Sequence, residues 1–152
     1  MAVREFETVQ DIQAAIGDTI GPTEWVLVDQ AKIDVFAEVT GDRNWVHVDA
    51  ERAGASSFGA TIAHGFLTLS LIGQFSPELI AIRDSPTTIN YGLDKVRFPA
   101  SCPRDSYVRA TAQIIAVDPL ERGCQLSLRY VIERQGSEKP VCVAEQLSRR
   151  LP

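Results

Sequence analysis

His64-Gly65-Phe66-Leu67-Thr68-Leu69-Ser70-Leu71-Ile72-Gly73-Gln74-Phe75 is the stretch from which the fold is inferred. Wound into a helix, Phe66, Leu67, Leu69, Leu71, Ile72 and Phe75 leave no wide polar face. After the first glycine, the only polar side chains are Thr68, Ser70 and Gln74. A helix apolar on all sides is expected to be buried on all sides. The apolar run is far shorter than the roughly 20 residues that span a bilayer. Its cover must therefore come from the rest of the chain.

That cover is legible downstream. Four strand-like runs follow, over residues 87–98, 107–117, 124–132 and 141–149. In the second, Val108, Ala110, Ala112 and Ile114 alternate with Arg109, Thr111 and Gln113, the period of a half-buried strand. In the third, Leu126, Leu128 and Tyr130 form the inward set. Gly92 marks a bulge in the first run, and Asp118-Pro119 and Gln135-Gly136 supply turns. Long consecutive strands with short turns predict an antiparallel meander. A sheet that must cover an all-round apolar helix has to curl around it. The expected fold is α+β, a hotdog architecture with an antiparallel sheet wrapped around a long buried central helix.

The N-terminal half is read from its caps. Thr8, with Asp11 three residues on, predicts a short helix that Gly17 ends. Residues 24–28 read as a strand. Asp29 is the N-cap of a second helix whose apolar face is Ile33, Phe36 and Ala37, and Gly41 stands where a C-terminal glycine stops it. Residues 42–60 read as an ordered loop with one helical turn after Asp49.

At 152 residues with a net charge of -5, the chain fits one domain over 1–152, and nothing suggests a nucleic-acid partner. An acidic balance does not forbid an anionic ligand, because local arginines decide that. Cys102, Cys124 and Cys142 have neither a disulfide nor a zinc spacing, so they read as small hydrophobes in a reducing cytoplasm. The first eight residues carry charges and no signal-peptide pattern, and no run is long enough for a membrane span. No metal, nucleotide or flavin motif is present.

The chemistry-bearing segment is Thr40-Gly41-Asp42-Arg43-Asn44-Trp45-Val46-His47. Asp42 and His47 are five positions apart, so a helix would not bring them together, whereas a turn could. Taken alone, Asp42 is a turn residue after a glycine and His47 a loop histidine satisfied by backbone. The context is Thr61-Ile62-Ala63-His64-Gly65-Phe66 at the head of the apolar helix. Together, Gly-Asp-x-Asn-x-x-His and the later His-Gly resemble the MaoC-like, (R)-specific enoyl-CoA hydratase family. The closest likeness is to its small single-hotdog members, including nodulation-protein-N-like dehydratases of 3-hydroxyacyl thioesters. Asn90-Tyr91-Gly92 and Lys95-Val96-Arg97-Phe98-Pro99 extend the resemblance over nearly the whole chain.

The resemblance implies reversible hydration of a trans-2-enoyl thioester to the (R)-3-hydroxyacyl thioester. It makes Asp42 and His47 the catalytic pair, Gly65 the backbone N–H facing the thioester carbonyl, and Asn44 a brace for the loop. Trp45 stands where the family often has proline, which puts the shape of the acyl pocket in question. His64, Asn90, Tyr91, Gly92 and Arg97 are expected around the substrate, His64 more as a structural residue at the helix start. Arg97, Lys95 and Arg109 could meet coenzyme A phosphates, although each is more often a solvated strand residue. No cofactor is expected beyond coenzyme A as part of the substrate; acyl carrier protein is the other possible carrier. An edge strand and the family's habit together predict a homodimer. The competing functions are a hotdog thioesterase, against which residues 66–76 offer no acid, and a non-catalytic acyl-thioester binder.

Overall fold

Reciprocal capping opens the first helix. After β1 (Arg4–Phe6), the Thr8 hydroxyl accepts from the Asp11 N–H, and the Asp11 carboxylate accepts from the Thr8 N–H at 2.9 Å. This starts α1 (Val9–Ala14), which ends ahead of the expected stop at Gly17, a turn residue with φ 98°. The structure is a computed structural model and describes residues 3–152, so the start of the N-terminal stretch, Met1 and Ala2, lies outside the described residues. Two short strands, β2 (Thr19–Ile20) and β3 (Val26–Val28), lead to α2 (Gln30–Thr40). The Asp29 carboxylate accepts the Lys32 N–H at 2.9 Å, and Gly41 closes α2 in the left-handed region at φ 77°. Two further turns of helix follow, α3 (Trp45–Val48) and α4 (Ala50–Gly54), the latter capped by Asp49 as the sequence predicts.

The apolar helix forms in two segments, α5 (Gly65–Ser70) and α6 (Ile72–Leu79). Leu71 between them keeps right-handed helical angles, so the axis carries through. The short β4 (Ile80–Ile82) then pairs in parallel with β1. The four long strands are β5 (Thr87–Arg97), β6 (Ser106–Pro119), β7 (Cys124–Arg134) and β8 (Cys142–Leu151). Their order is β6-β7-β8-β5, with β2 and β3 on the free side of β6. The expected meander therefore holds for β6 to β8 and fails for β5, which pairs β8. The reason lies in residues 98–105, which leave β5 and cross the sheet end. Ala63 N–H donates to Cys102 carbonyl at 2.7 Å, and Arg104 N–H to Thr61 carbonyl at 2.9 Å. The bulge expected at Gly92 is present as a register shift between Asn90 and Gly92.

Inward residues of the sheet follow the alternation read from the sequence. Val108, Ala110, Ala112 and Ile114 on β6 and Leu126, Leu128 and Tyr130 on β7 are fully buried, and Phe75 packs among them from α6. The three cysteines are buried free thiols, and burial pushes Cys142 up to about 11, out of the reactive range near neutral pH. The central helix differs from its expected all-round burial. Phe66 is 68% exposed, and Ser70, Gly73, Gln74 and Pro77 are also open. The sheet stops at β5 and does not reach that flank. Among the described residues, no helix is long and apolar enough to cross a membrane.

Gly41 offers a test of the turn that ends α2. A side chain added there meets nothing within 4 Å, so any cost comes from the backbone alone. Gly41→Ala should destabilise the fold by about 1–2 kcal/mol. Urea denaturation should show a lower midpoint with an unchanged slope.

Candidate active site

Gly41 reverses the chain after α2, and Asn44 restarts it. The Asp42 carboxylate accepts the Asn44 N–H at 3.3 Å. The Asn44 side chain accepts the Val46 N–H at 3.4 Å and caps α3. Reversal and restart fold the five-residue spacing back on itself, leaving His47 Nε2 4.0 Å from Asp42 Oδ2. His47 is nearly buried at 12% side-chain exposure, while Asp42 is half exposed at 52%.

The surroundings select one tautomer of His47. Its Nδ1 lies 2.7 Å from the carbonyl of Ile62. A carbonyl only accepts, so Nδ1 carries the hydrogen and the Nε2 lone pair of the neutral ring faces Asp42. Backbone bonds hold that arrangement: Ile62 N–H donates to Val46 carbonyl at 2.9 Å, and the Gln30 amide donates to His47 carbonyl at 2.8 Å. Thr61 holds the other end of the Gln30 amide.

His64 stands at the N-cap of α5 but makes no side-chain cap. Its Nε2 instead lies 2.9 Å from the Asp42 carbonyl, to which it donates. The ring stacks on His47 at 3.7 Å between centroids, and Phe36 packs tilted against the same His64 ring at 5.0 Å. His64 thus holds both Asp42 and the His47 ring. Its Nδ1 is buried and, among the described residues, without a hydrogen-bond partner.

Gly65 opens α5, and its N–H belongs to the first turn, where donors lack intrahelical acceptors. A side chain at this position would meet the Phe98 ring at 3.0 Å. The close approach that requires glycine here is made by Phe98, which also meets Phe66 edge-on at 6.2 Å. Trp45 is the first residue of α3, a position where proline fits because its N–H needs no partner. Its ring carries the Arg52 guanidinium at 4.3 Å.

The remaining expected site residues lie along β5, apart from the Asp42–His47–His64 cluster. Asn90 faces inward and accepts from the Gln146 amide at 2.8 Å. Tyr91 is 57% exposed, with Arg149 over its ring at 4.0 Å. Gly92 forms the bulge, and exposed Arg97 donates to the Val96 carbonyl. Arg109 is paired with Glu133 and stacked over Trp25.

Asp42, His47 and His64 each offer one ligand-capable atom within 4.8 Å of the others. The donors able to hold a cation are the two ring nitrogens not committed to carbonyls and the Asp42 carboxylate. The sequence motif brings Asp42 and His47 together and puts His64 beside the substrate, but does not show that His64 contacts both. Gln30 and Ile62 were likewise missed, because one acts through an amide of an exposed helix and the other through a backbone carbonyl.

Residues 11–132 match the MaoC-like domain model. The chain is 45% identical over 148 residues to 3-hydroxyacyl-thioester dehydratase Z of Mycobacterium tuberculosis, covering 97% of this chain and 98% of that one. It is also 45% identical over 146 residues to nodulation protein N of Rhizobium leguminosarum, covering 93% and 89%. Among solved structures, the unliganded R-hydratase of Pseudomonas aeruginosa superposes with a TM-score of 0.73 at 22% identity, covering 95% and 85%. A monoamine oxidase regulatory protein of Archaeoglobus superposes with a TM-score of 0.77 at 23% identity, covering 100% and 99%. These neighbours share the hotdog fold, with the sheet curved over its central helix. The chain belongs to the MaoC-like domain family.

Proposed function

We propose that this chain is a hydro-lyase that interconverts a trans-2-enoyl thioester of coenzyme A and the (R)-3-hydroxyacyl thioester, with Asp42 and His47 as the catalytic pair. The observation that carries this reading is the 4.0 Å gap between His47 Nε2 and Asp42 Oδ2. That gap is too wide for a direct hydrogen bond. It fits one oxygen atom bonded to both groups, since two bonds of about 2.8 Å meeting near a right angle span about 4 Å. Such an oxygen is the water of hydration or the 3-hydroxyl of the product. Likeness to a named 3-hydroxyacyl-thioester dehydratase over nearly the full length supports the same chemistry.

The groups then act in sequence. His47 Nε2, a lone pair by virtue of the Nδ1 bond to Ile62, takes a proton from water. Asp42 accepts the second hydrogen and orients the oxygen toward the β-carbon. As the carbon–oxygen bond forms, the electron pair of the double bond shifts toward the thioester and the carbonyl oxygen gains negative charge. The first-turn N–H of Gly65 is the donor assigned to that oxygen. The proton returns from the pair to the α-carbon. Dehydration reverses each step through the same groups. His64 acts as a positioning residue, through its hold on Asp42 and its stack on His47.

The assembly we infer is a homodimer formed through β5. This edge strand is eleven residues long and exposes Ile89, Tyr91 and Leu93, beside the exposed Phe66 and Phe98. An unpaired apolar edge of this length pairs with another strand or aggregates. A second copy paired there would cover the open flank of the central helix. The chain acts in the cytoplasm on this reading, where acyl-coenzyme A thioesters and reduced thiols coexist.

Asp42→Asn and His47→Ala should each lower turnover of crotonyl-coenzyme A by two orders of magnitude or more while circular dichroism stays native. Loss of the conjugated ultraviolet band reports hydration; release of a free thiol in its place would mark a thioesterase. Near-normal turnover in either variant would remove that residue from the mechanism. Chiral analysis of the hydration product should give the (R) isomer. Light scattering on the active enzyme should give twice the chain mass, and an active monomer would exclude the β5 pairing.

A further inference from the structure

Arg150 is 4% exposed on the inward face of β8, alongside Gln146 and Ser148. Its guanidinium donates to the Thr88 hydroxyl at 2.7 Å and to the Ser76 hydroxyl at 3.4 Å. Both partners are neutral. Among the described residues no carboxylate forms an ion pair with it, and its Nε is without a partner. Buried oxygens of Tyr130, Gln146 and Ser148 are also unpartnered. A charge buried without a counter-charge is costly, so such a group is held for an anion or sacrificed for structure. Burial pushes the guanidinium below its usual range, against the weaker opposing pull of Tyr130 and Cys124.

This arginine lines a cavity of about 760 Å³ between α6, β4 and the inward face of β5 and β8. The other charge there, Arg83, is already met by Glu5 and Glu7. The cavity adjoins a second one of about 360 Å³, with which it shares Ile72, Gly73, Asn90 and Gln146. The second cavity reaches Leu69, one helical turn from Gly65. Gly65, Leu69, Ile72 and Ser76 fall at i, i+4, i+7 and i+11, which places them on one face of the central helix. Phe98 lies against Gly65, and Gly73 and Asn90 line the same cavity, so this face looks toward β5. Together the two cavities form a channel along one stripe of the helix, from Leu69 to the arginine beside Ser76, and Gly65 lies one turn beyond Leu69. Gly65 and Ser76 are about 16 Å apart along the axis at 1.5 Å per residue. An extended chain of about a dozen carbons has that reach, at about 1.25 Å advance per bond.

We propose that this channel takes the acyl chain and that Arg150 selects chains whose far end carries a carboxylate. The proposal rests on the thioester chemistry assigned above, to which it adds a substrate class. A carboxylate at the channel's end supplies the missing counter-charge to the guanidinium. The Thr88 and Ser76 hydroxyls, which line the same cavity, donate to the second oxygen. A methyl end brought to the same place would leave the guanidinium without a counter-charge.

The experiment compares trans-2-dodecenoyl-coenzyme A with its analogue ending in a carboxylate, in the full-length enzyme and in Arg150→Met and Arg150→Lys. The native enzyme should favour the carboxylate-ended chain by about tenfold to hundredfold in kcat/KM. Arg150→Met should abolish or invert that preference, and Arg150→Lys should restore part of it. A native preference for the methyl-ended chain overturns the proposal, as does an unchanged ratio in a folded Arg150→Met. Should Arg150→Met fail to fold, the native ratio and the lysine variant still decide. Calorimetric binding of the saturated carboxylate-ended and methyl-ended thioesters separates the two readings. Tighter binding of the carboxylate-ended chain without hydration keeps the arginine site and removes the hydratase assignment. Hydration without that difference in binding does the reverse.

Discussion

The hydrogen bond between His47 Nδ1 and the Ile62 carbonyl is the constraint on which the site depends. It joins two segments fifteen positions apart and leaves the Nε2 lone pair as the only free face of the neutral ring. Everything that holds Ile62 therefore acts on the chemistry. Ile62 bonds Val46 on one side, and its neighbours Thr61 and Ala63 are tied to Arg104 and Cys102 in the connection that crosses the sheet end. That crossing explains why β5 lies beside β8 and not beside β6. A simple meander would keep residues 98–105 away from the helix head. Neither the Phe98 ring against Gly65 nor the bonds to Thr61 and Ala63 would then form.

A second constraint acts through the central helix. Its apolar residues exceed what one curved sheet can cover. Leu67, Leu71, Ile72, Phe75 and Leu79 are buried under the strands, while Phe66 is left open beside an equally open β5. A flank of this kind is stable in water only if it is small or covered. The need for a second copy and the need for a substrate channel thus arise from the same side of the helix. On that side Gly73 leaves room for a ligand, and larger residues meet a neighbour.

Polarity on the inward face of the sheet divides the interior in two. Toward β6 and β7 the lining is aliphatic apart from Tyr130, with alanines that let the helix approach. Toward the end of β8 it turns into Gln146, Ser148 and Arg150, where an apolar lining would cost less. An interior arranged only for stability would have no use for a cation held by two hydroxyls. A binding function accounts for it, because a ligand's charge completes what the protein leaves unpaired.

Periodicity and caps carried the local structure. Thr8, Asp29, Gly41 and Asp49 act where they stand because each bond reaches only three or four residues along the chain. The inward sets of β6 and β7 were legible because strand period alone assigns a face. Asp42, Asn44 and His47 could be picked out as a motif, since their roles depend on a turn made by adjacent residues. Other features depended on distant segments meeting. Strand alternation does not say which strand β5 pairs with, because pairing is set by the path of a connection and not by the face it presents. Nor does residue type reveal that His64 holds Asp42, that Ile62 selects the tautomer of His47, or that Arg150 has no acid nearby. A histidine, a carbonyl or an arginine is the same letter whether its partner is water, an acid or nothing. That distinction is made by burial, and burial exists only once the sheet has closed over the helix.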